Sequence, residues 1–247
     1  SFLEESAVLD ELDADTLDDL LERDDSRQRL RTFEASGNLF LVPLDDERYR
    51  YRYHHLFGEL LAERLRVRDP ERAEALHRRA ADHFEAVGDL DRAIVHALQA
   101  GDFDRASSLV LRDAAALAFD GRSGVLARRL ALLGDRADET HVEAAVAMAW
   151  YGLSLADSAL IIRSLQRAVA IDDGRRLGDG SKSAAVATAL IRAALAPDGI
   201  HQMVRDADEV IAAGDWTTNP WWGLAMGMAG VAHGFLGEVD EARRHLL

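Results

Sequence analysis

Residues 48 to 57 read Arg-Tyr-Arg-Tyr-Arg-Tyr-His-His-Leu-Phe, a strict two-residue alternation that runs directly into a helical pattern. In an extended chain successive side chains point to opposite faces. Tyr49, Tyr51 and Tyr53 therefore share one face and Arg48, Arg50 and Arg52 the other, as in a half-buried strand. Apolar residues then recur at Leu56, Phe57, Leu60, Leu61 and Leu65, the three-to-four spacing of an amphipathic helix. His54 and His55 stand at the corner between the two elements, a place where ligands are often held.

The flanking sequence supplies partners for that strand. The pattern predicts a helix across Asp15–Leu21 and another across Ser26–Ala35, with Ser26 as its cap and Gly37 as its end. Leu39–Val42 reads as a short strand, and Pro43 places it at an edge or marks its end. Asp45-Asp46-Glu47 is the turn into the alternating strand. Helix, helix, hairpin and helix make a small winged-helix-like unit over residues 1–66, with the hairpin as the wing.

From residue 67 to 247 the pattern is helical throughout. Gly88-Asp89-Leu90-Asp91-Arg92-Ala93 recurs as Gly101-Asp102-Phe103-Asp104-Arg105-Ala106 and as Gly237-Glu238-Val239-Asp240-Glu241-Ala242. Each is a helix-turn-helix joint. Glycine takes the left-handed conformation that ends one helix, the acid caps the next, and the alanine lets two helices approach. Further helices are expected near 122–133, 142–156, 158–171, 183–195, 200–213 and 221–236, with residues 172–181 as a mobile loop. The fold expected is mainly α: the winged-helix-like unit followed by a tetratricopeptide-like right-handed superhelix of helix pairs, whose concave face suits ligands or peptides.

Composition narrows the function. The chain has 247 residues, a net charge of −15 and no cysteine. Acids outnumber bases both before and after residue 66, so direct nucleic-acid binding by this segment is not expected. No apolar run reaches membrane-spanning length, and no secretory signal is visible. The first residue is Ser, and the last seven stop within a helical pattern, as in a fragment of a longer protein.

Tyr51-Arg52-Tyr53-His54-His55-Leu56-Phe57-Gly58-Glu59-Leu60-Leu61, followed by Leu76-His77-Arg78-Arg79-Ala80-Ala81 and Ala93-Ile94-Val95-His96-Ala97, resembles the MalT-like regulators of the LuxR superfamily. The resemblance implies a nucleotide-binding switch ATPase of the STAND class that ends in a winged helix. A superhelical sensor and a helix-turn-helix DNA-binding domain follow it. In related STAND and NB-ARC switches a histidine at the end of the winged helix touches the ADP β-phosphate, and His54 matches that position. The same residues also allow a purely structural reading, in which both histidines cap the corner. The phosphate loop and the recognition helix of the family have no counterpart in the sequence. ATP or ADP is therefore implied for the parent protein and no cofactor for this segment.

Other candidate sites have weaker support in the sequence. Arg48, Arg50 and Arg52 could touch a phosphate backbone, but beside Asp45, Asp46 and Glu47 they read as a solvated face with local ion pairs. His77, His83 and His96 lack metal-ligand spacing, so no metal is expected. Residues 178–183 lack phosphate-loop spacing. Trp150, Trp216, Trp221 and Trp222 concentrate in the second half, mostly as core. Trp221 and Trp222 cannot both face inward along one helix, which makes them candidates for a ligand or partner surface. No catalytic constellation stands out, and no enzyme is expected.

The expected function is the sensor and coupling segment of a cytoplasmic, ATP-regulated transcriptional regulator. It would bind a small-molecule effector or a partner peptide on the superhelix, relay that to the ATPase domain, and allow self-association. The alternative is a protein-interaction scaffold within another STAND protein, such as a regulator-like kinase.

Overall fold

The computed structural model describes residues 1–36 and 39–246. Gly37, expected to end a helix, and Leu247 lie outside the described residues. Backbone contacts divide the chain into two compact units, Ser1–Phe103 and Asp104–Leu247. The described residues hold fifteen α-helices and one three-stranded sheet.

The first unit opens with α1 (Phe2–Ser6), β1 (Leu12–Asp13), α2 (Ala14–Leu21) and α3 (Ser26–Ala35). It continues with β2 (Leu41–Pro43), β3 (Arg50–Tyr53), α4 (His55–Arg68), α5 (Pro70–Ala86) and α6 (Leu90–Gln99). β3 lies at the centre of the antiparallel sheet, pairing Leu12 with Tyr51 and Leu41 with Tyr53. Tyr51 and Tyr53 are buried while Arg50 and Arg52 are exposed, the alternation expected of a strand with one wet face. Pro43 ends the edge strand β2, where its missing N–H costs no ladder bond.

Several local expectations are corrected. Tyr49 lies outside the strand, exposed under the Arg27 guanidinium at 4.0 Å, because Arg48 adopts a left-handed φ of 57°. Ser26 does not cap α3. Asp25 holds that position, and the Ser26 amide donates to Asp18 Oδ1 at 3.0 Å. Leu39 and Phe40 are exposed rather than inside a strand. On α4 only Leu61 and Leu65 are buried, while Leu56 and Leu60 face solvent.

The second unit begins within α7 (Phe103–Arg112), followed by α8 (Ala114–Phe119), α9 (Ser123–Leu133) and a 3-10 turn at Ala137–Glu139. Three helix pairs complete it. They are α10 (Val142–Ser154) with α11 (Ser158–Ala170), α12 (Ala184–Leu195) with α13 (Ile200–Ala212), and α14 (Trp222–Leu236) with α15 (Val239–Leu246). The joints behave as their chemistry requires. Gly88, Gly101 and Gly237 take φ of 79°, 73° and 79°. The following amide donates back to Phe84, Ala97 or His233 at 2.8 to 2.9 Å, closing each helix, and Ala93, Ala106 and Ala242 are buried.

A fourth joint escaped the glycine pattern. Ala156 is left-handed at φ 54°, and Asp157 both donates to Gly152 O at 3.0 Å and caps Leu160 at 2.9 Å. The small residue sits one turn earlier, since a Cβ on Gly152 would meet Ile161 at 2.9 Å. The segment 172–181, expected to be mobile, is packed. Leu177, Asp179 and Ser181 are buried, and Gly178 lies so close to Ser108 that a Cβ there would fall 2.5 Å from its carbonyl oxygen. Glycine content marked the turn, but tertiary packing pins it. Mainly α, with a winged-helix unit followed by stacked helix pairs, is the fold observed.

Candidate functional site

The corner at His54 is built from both faces of β3. On the buried face the Tyr53 hydroxyl pairs with Ser6 Oγ at 2.8 Å, and burial pushes the phenol up to about 12. Phe57 stacks on Phe40 at 4.8 Å and meets Tyr53 edge-on at 5.6 Å. Gly58 places the first turn of α4 beside the strand, where a Cβ would meet Tyr53 Cβ at 3.4 Å, an ordinary contact.

Two backbone bonds then fix His54 itself. Its amide donates to Phe40 O at 2.7 Å, and its carbonyl accepts from Phe57 and Gly58 at 2.9 and 3.0 Å. His54 is thus the N-cap of α4 through its main chain, while its side chain makes no capping bond and is exposed. The backbone holds the corner, and the imidazole is presented outward. His55 Nε2 stands 3.5 Å from Glu59 Oε1, an ordinary pair one turn apart on an exposed helix face.

Both histidines line a cleft of about 560 Å³ whose walls include Leu9, Val42, Arg52 and Tyr53. Arg52 and the two imidazoles supply donors, whereas Asp10, Glu11 and Glu59 on the same cleft supply negative charge. The walls are already in place within residues 1–66. An anion placed here would be favoured by the N-terminal end of α4 and the Arg52 guanidinium and opposed by Asp10, Glu11 and Glu59. The neighbouring arginines are engaged locally, Arg48 with Glu34 at 3.0 Å and Arg50 with Asp45 at 3.5 Å.

The remaining histidines separate by role. His77 and His96 place their Nδ1 atoms 3.0 Å apart, and His96 stacks on Phe84 at 5.3 Å. Burial holds both imidazoles below their ordinary range, His96 at about 4, so the pair is neutral, with one ring donating and the other accepting. His83 lies apart, 3.5 Å from both Thr16 Oγ1 and Asp19 Oδ2. Among the described residues no group of three or more His, Cys, Asp or Glu is placed to hold a metal ion.

The helix pair α5–α6 is clasped to the preceding elements by arginines. Arg72 meets Glu5 at 2.9 Å, Arg79 meets Glu22 at 3.1 Å, and Arg92 meets Glu11 at 3.2 Å. Arg79 also donates to the Asp19 carbonyl at 2.8 Å. This clasp joins residues far apart in sequence, and no periodicity could have revealed it.

In the second unit, Trp150 is buried and stacks on Trp221 at 5.9 Å, with Phe119 edge-on at 5.6 Å. Trp221 precedes α14 and Trp222 opens it, both half-buried, while Trp216 is exposed. Trp221 therefore has a packing role against Trp150. Trp222 has no aromatic stacking partner among the described residues. No described helix is long and apolar enough to cross a membrane.

Residues 1–73 match the family described as the MalT winged helix domain. The chain is 33% identical over 109 residues to the HTH-type transcriptional regulator MalT of Vibrio cholerae, 44% of this chain and 12% of that protein. It is 31% identical over 133 residues to the regulator of the same name from Klebsiella pneumoniae, 54% of this chain and 15% of that one. The serine/threonine-protein kinase PknK of Mycobacterium tuberculosis is 40% identical over 87 residues, 35% of this chain and 8% of the kinase. The matched stretch is a small fraction of each relative's length.

Proposed function

Starting from a MalT-type winged-helix domain at residues 1–73, we propose that this chain is the sensor and coupling segment of an ATP-regulated transcriptional regulator of the STAND class. Effector or partner binding on the helix pairs would be relayed through the winged helix to an ATPase domain that holds ATP or ADP. The observation that carries the proposal is that α5 and α6, the first helix pair, fold into one compact unit with the winged helix, clasped by Arg72, Arg79 and Arg92. A movement of that pair would reach the corner through α1, whose Glu5 meets Arg72 and whose Ser6 pairs with Tyr53. His54 is the phosphate contact in this reading, because its backbone is fixed while its imidazole is free to donate to an anion. The segment performs no chemistry of its own. Its site of action is the cytoplasm, and self-association follows when the nucleotide contact is released.

His54→Ala in the ATPase-bearing parent tests this. ADP should dissociate faster, and activity should become less dependent on effector. Unchanged ADP retention and unchanged basal activity would remove His54 from the nucleotide site.

The similarity to PknK favours a second setting for the same segment, the switch region of a regulator-like kinase in which the helix pairs hold a partner peptide. Native mass spectrometry of the chain with peptides and with small molecules separates the two settings.

A further inference from the structure

We propose that the groove between α11 and α12 binds a small aliphatic carboxylate. The groove follows from the connection between these helices. α11 packs closely on α10 through the two-residue joint at Ala156-Asp157, but α12 is reached only after the long, pinned segment 171–183, and the α11–α12 seam is sparsely filled. A volume of about 610 Å³ is left there, within the range of small-molecule sites.

One wall is α11, where Ile162, Leu165 and Val169 recur at helical spacing. Ile162 and Val169 are 48% and 53% exposed. α11 thus carries a wider apolar arc than its contact with α10 uses. Leu195, on the last turn of α12, faces it across the groove.

The polar groups are few and fall together. Thr188 and Arg192 lie one turn apart on α12, so their side chains are neighbours. The Thr188 hydroxyl is sealed from water and has no hydrogen-bond partner, and a helical threonine has a second rotamer open to it. Arg192 gives one guanidinium nitrogen to Asp206 at 3.2 Å, leaving further N–H donors in a planar fork that matches a carboxylate. An alkyl chain would lie along Ile162, Leu165, Val169 and Leu195, with its carboxylate at Arg192. Asp198, beyond the end of α12, lies at the groove too and would disfavour a second negative charge there. That restricts the ligand to a single acidic end. Binding by the groove stands alone, whereas its use as a signal rests on the sensor reading given above.

Calorimetric titration of the 247-residue chain with octanoate, octanol and octylamine tests the assignment. Octanoate should bind one to one, about tenfold or more tighter than either comparator, as expected of one charged hydrogen-bonded contact. Ile162→Glu should abolish binding, and Arg192→Gln should reduce octanoate to the level of octanol. Because Arg192 also serves buried Asp206, Ile162→Glu at a half-exposed position keeps the test decisive if Arg192→Gln fails to fold. Thr188→Val should weaken octanoate binding without lowering thermal stability. Lack of saturable octanoate binding, equal binding of the three probes, or octanoate binding that survives Ile162→Glu overturns the assignment. Octanoate binding that leaves ADP release from the ATPase-bearing parent unchanged would overturn the sensor reading and leave the groove standing.

Discussion

The two units are held together by different means. The first buries large side chains, among them Leu12, Leu17, Leu30, Tyr51, Leu65 and Leu76, and ties its elements with surface arginines. Its buried acid, Glu4, is met by both Arg64 and Arg68. The second packs helix backbones through alanines, including Ala144, Ala145, Ala187, Ala193, Ala229 and Ala232. It buries Glu143 and Asp206 with one oxygen of each unpartnered. Large side chains joined by charge can re-pair when an element shifts. Close alanine packing is stiffer, and its weak points are internal, at the unpartnered oxygens of Glu143 and Asp206. The difference suits a coupling unit followed by a rigid frame.

The largest expected effect strikes the frame. Trp150→Ala removes a fully buried indole from between Phe119 and Trp221 and should cost about 3–5 kcal/mol. All four tryptophans lie in the second unit, so their fluorescence reads that unit while circular dichroism reads both. In this variant a helical signal from the first unit should outlast the loss of tertiary fluorescence.

Glycine substitution sharpens the contrast next. Gly178→Ala drives a Cβ into the Ser108 backbone and should destabilise the second unit by up to about 3 kcal/mol. Gly58→Ala, with ordinary clearance from Tyr53 inside α4, should stay within about 1 kcal/mol of the parent. Equal losses in chemical denaturation would break the distinction between stiff and adaptable packing.

Acid should move the units in opposite directions. Burial holds His96 at about 4 against an ordinary 6.5. Its contribution is complete above the unfolded value and is lost as pH falls from 6.5 toward 4, about 2 kcal/mol by pH 5. His77 shares the direction and the cause. In the second unit burial raises Glu143 and Asp179. That stabilisation is present at low pH and is lost as pH rises through the raised values. Between pH 7 and 5 the first unit should weaken, and the second should gain as its raised carboxyls take up protons. His96→Phe should remove most of the first effect, as measured by paired dichroism and fluorescence melts.

The smallest effect concerns the clasp. Arg92 and Glu11 are both substantially exposed, so Arg92→Ala should cost less than about 1 kcal/mol, and less again in high salt. A larger, salt-insensitive loss would mean that the Arg92 guanidinium, lying over the Phe84 ring at 5.3 Å, matters through that ring contact.

Much of this architecture is legible in the chain. The Arg-Tyr alternation placed β3 and the His54 corner because a period of two has few competing explanations. The six helices α9 to α14 fall within two residues of their expected bounds, because the apolar period is clear in each, whereas the break between α7 and α8 is not marked by the pattern. What escaped is what only packing decides. α1 and β1 are too short to show a period, and the exposure of Leu56 and Leu60 depends on which face of α4 meets the sheet. Segment 172–181 has the composition of a mobile loop yet is held by Gly178 against Ser108 and by its own buried side chains. The cleft at His54 closes around Leu9 and Val42, and the α11–α12 groove exists because a seam was left unfilled. Neither is written in any local pattern.

The most direct test of coupling is hydrogen exchange on the ATPase-bearing parent loaded with ADP or with ATP. The Phe57 and Gly58 amides, which bond to the His54 carbonyl, should change protection together with those of α5 and α6, while the alanine-packed core of α10 and α12 stays the same. Identical exchange at the corner in the two nucleotide states, or a change at the corner that leaves α5 and α6 untouched, would contradict the account.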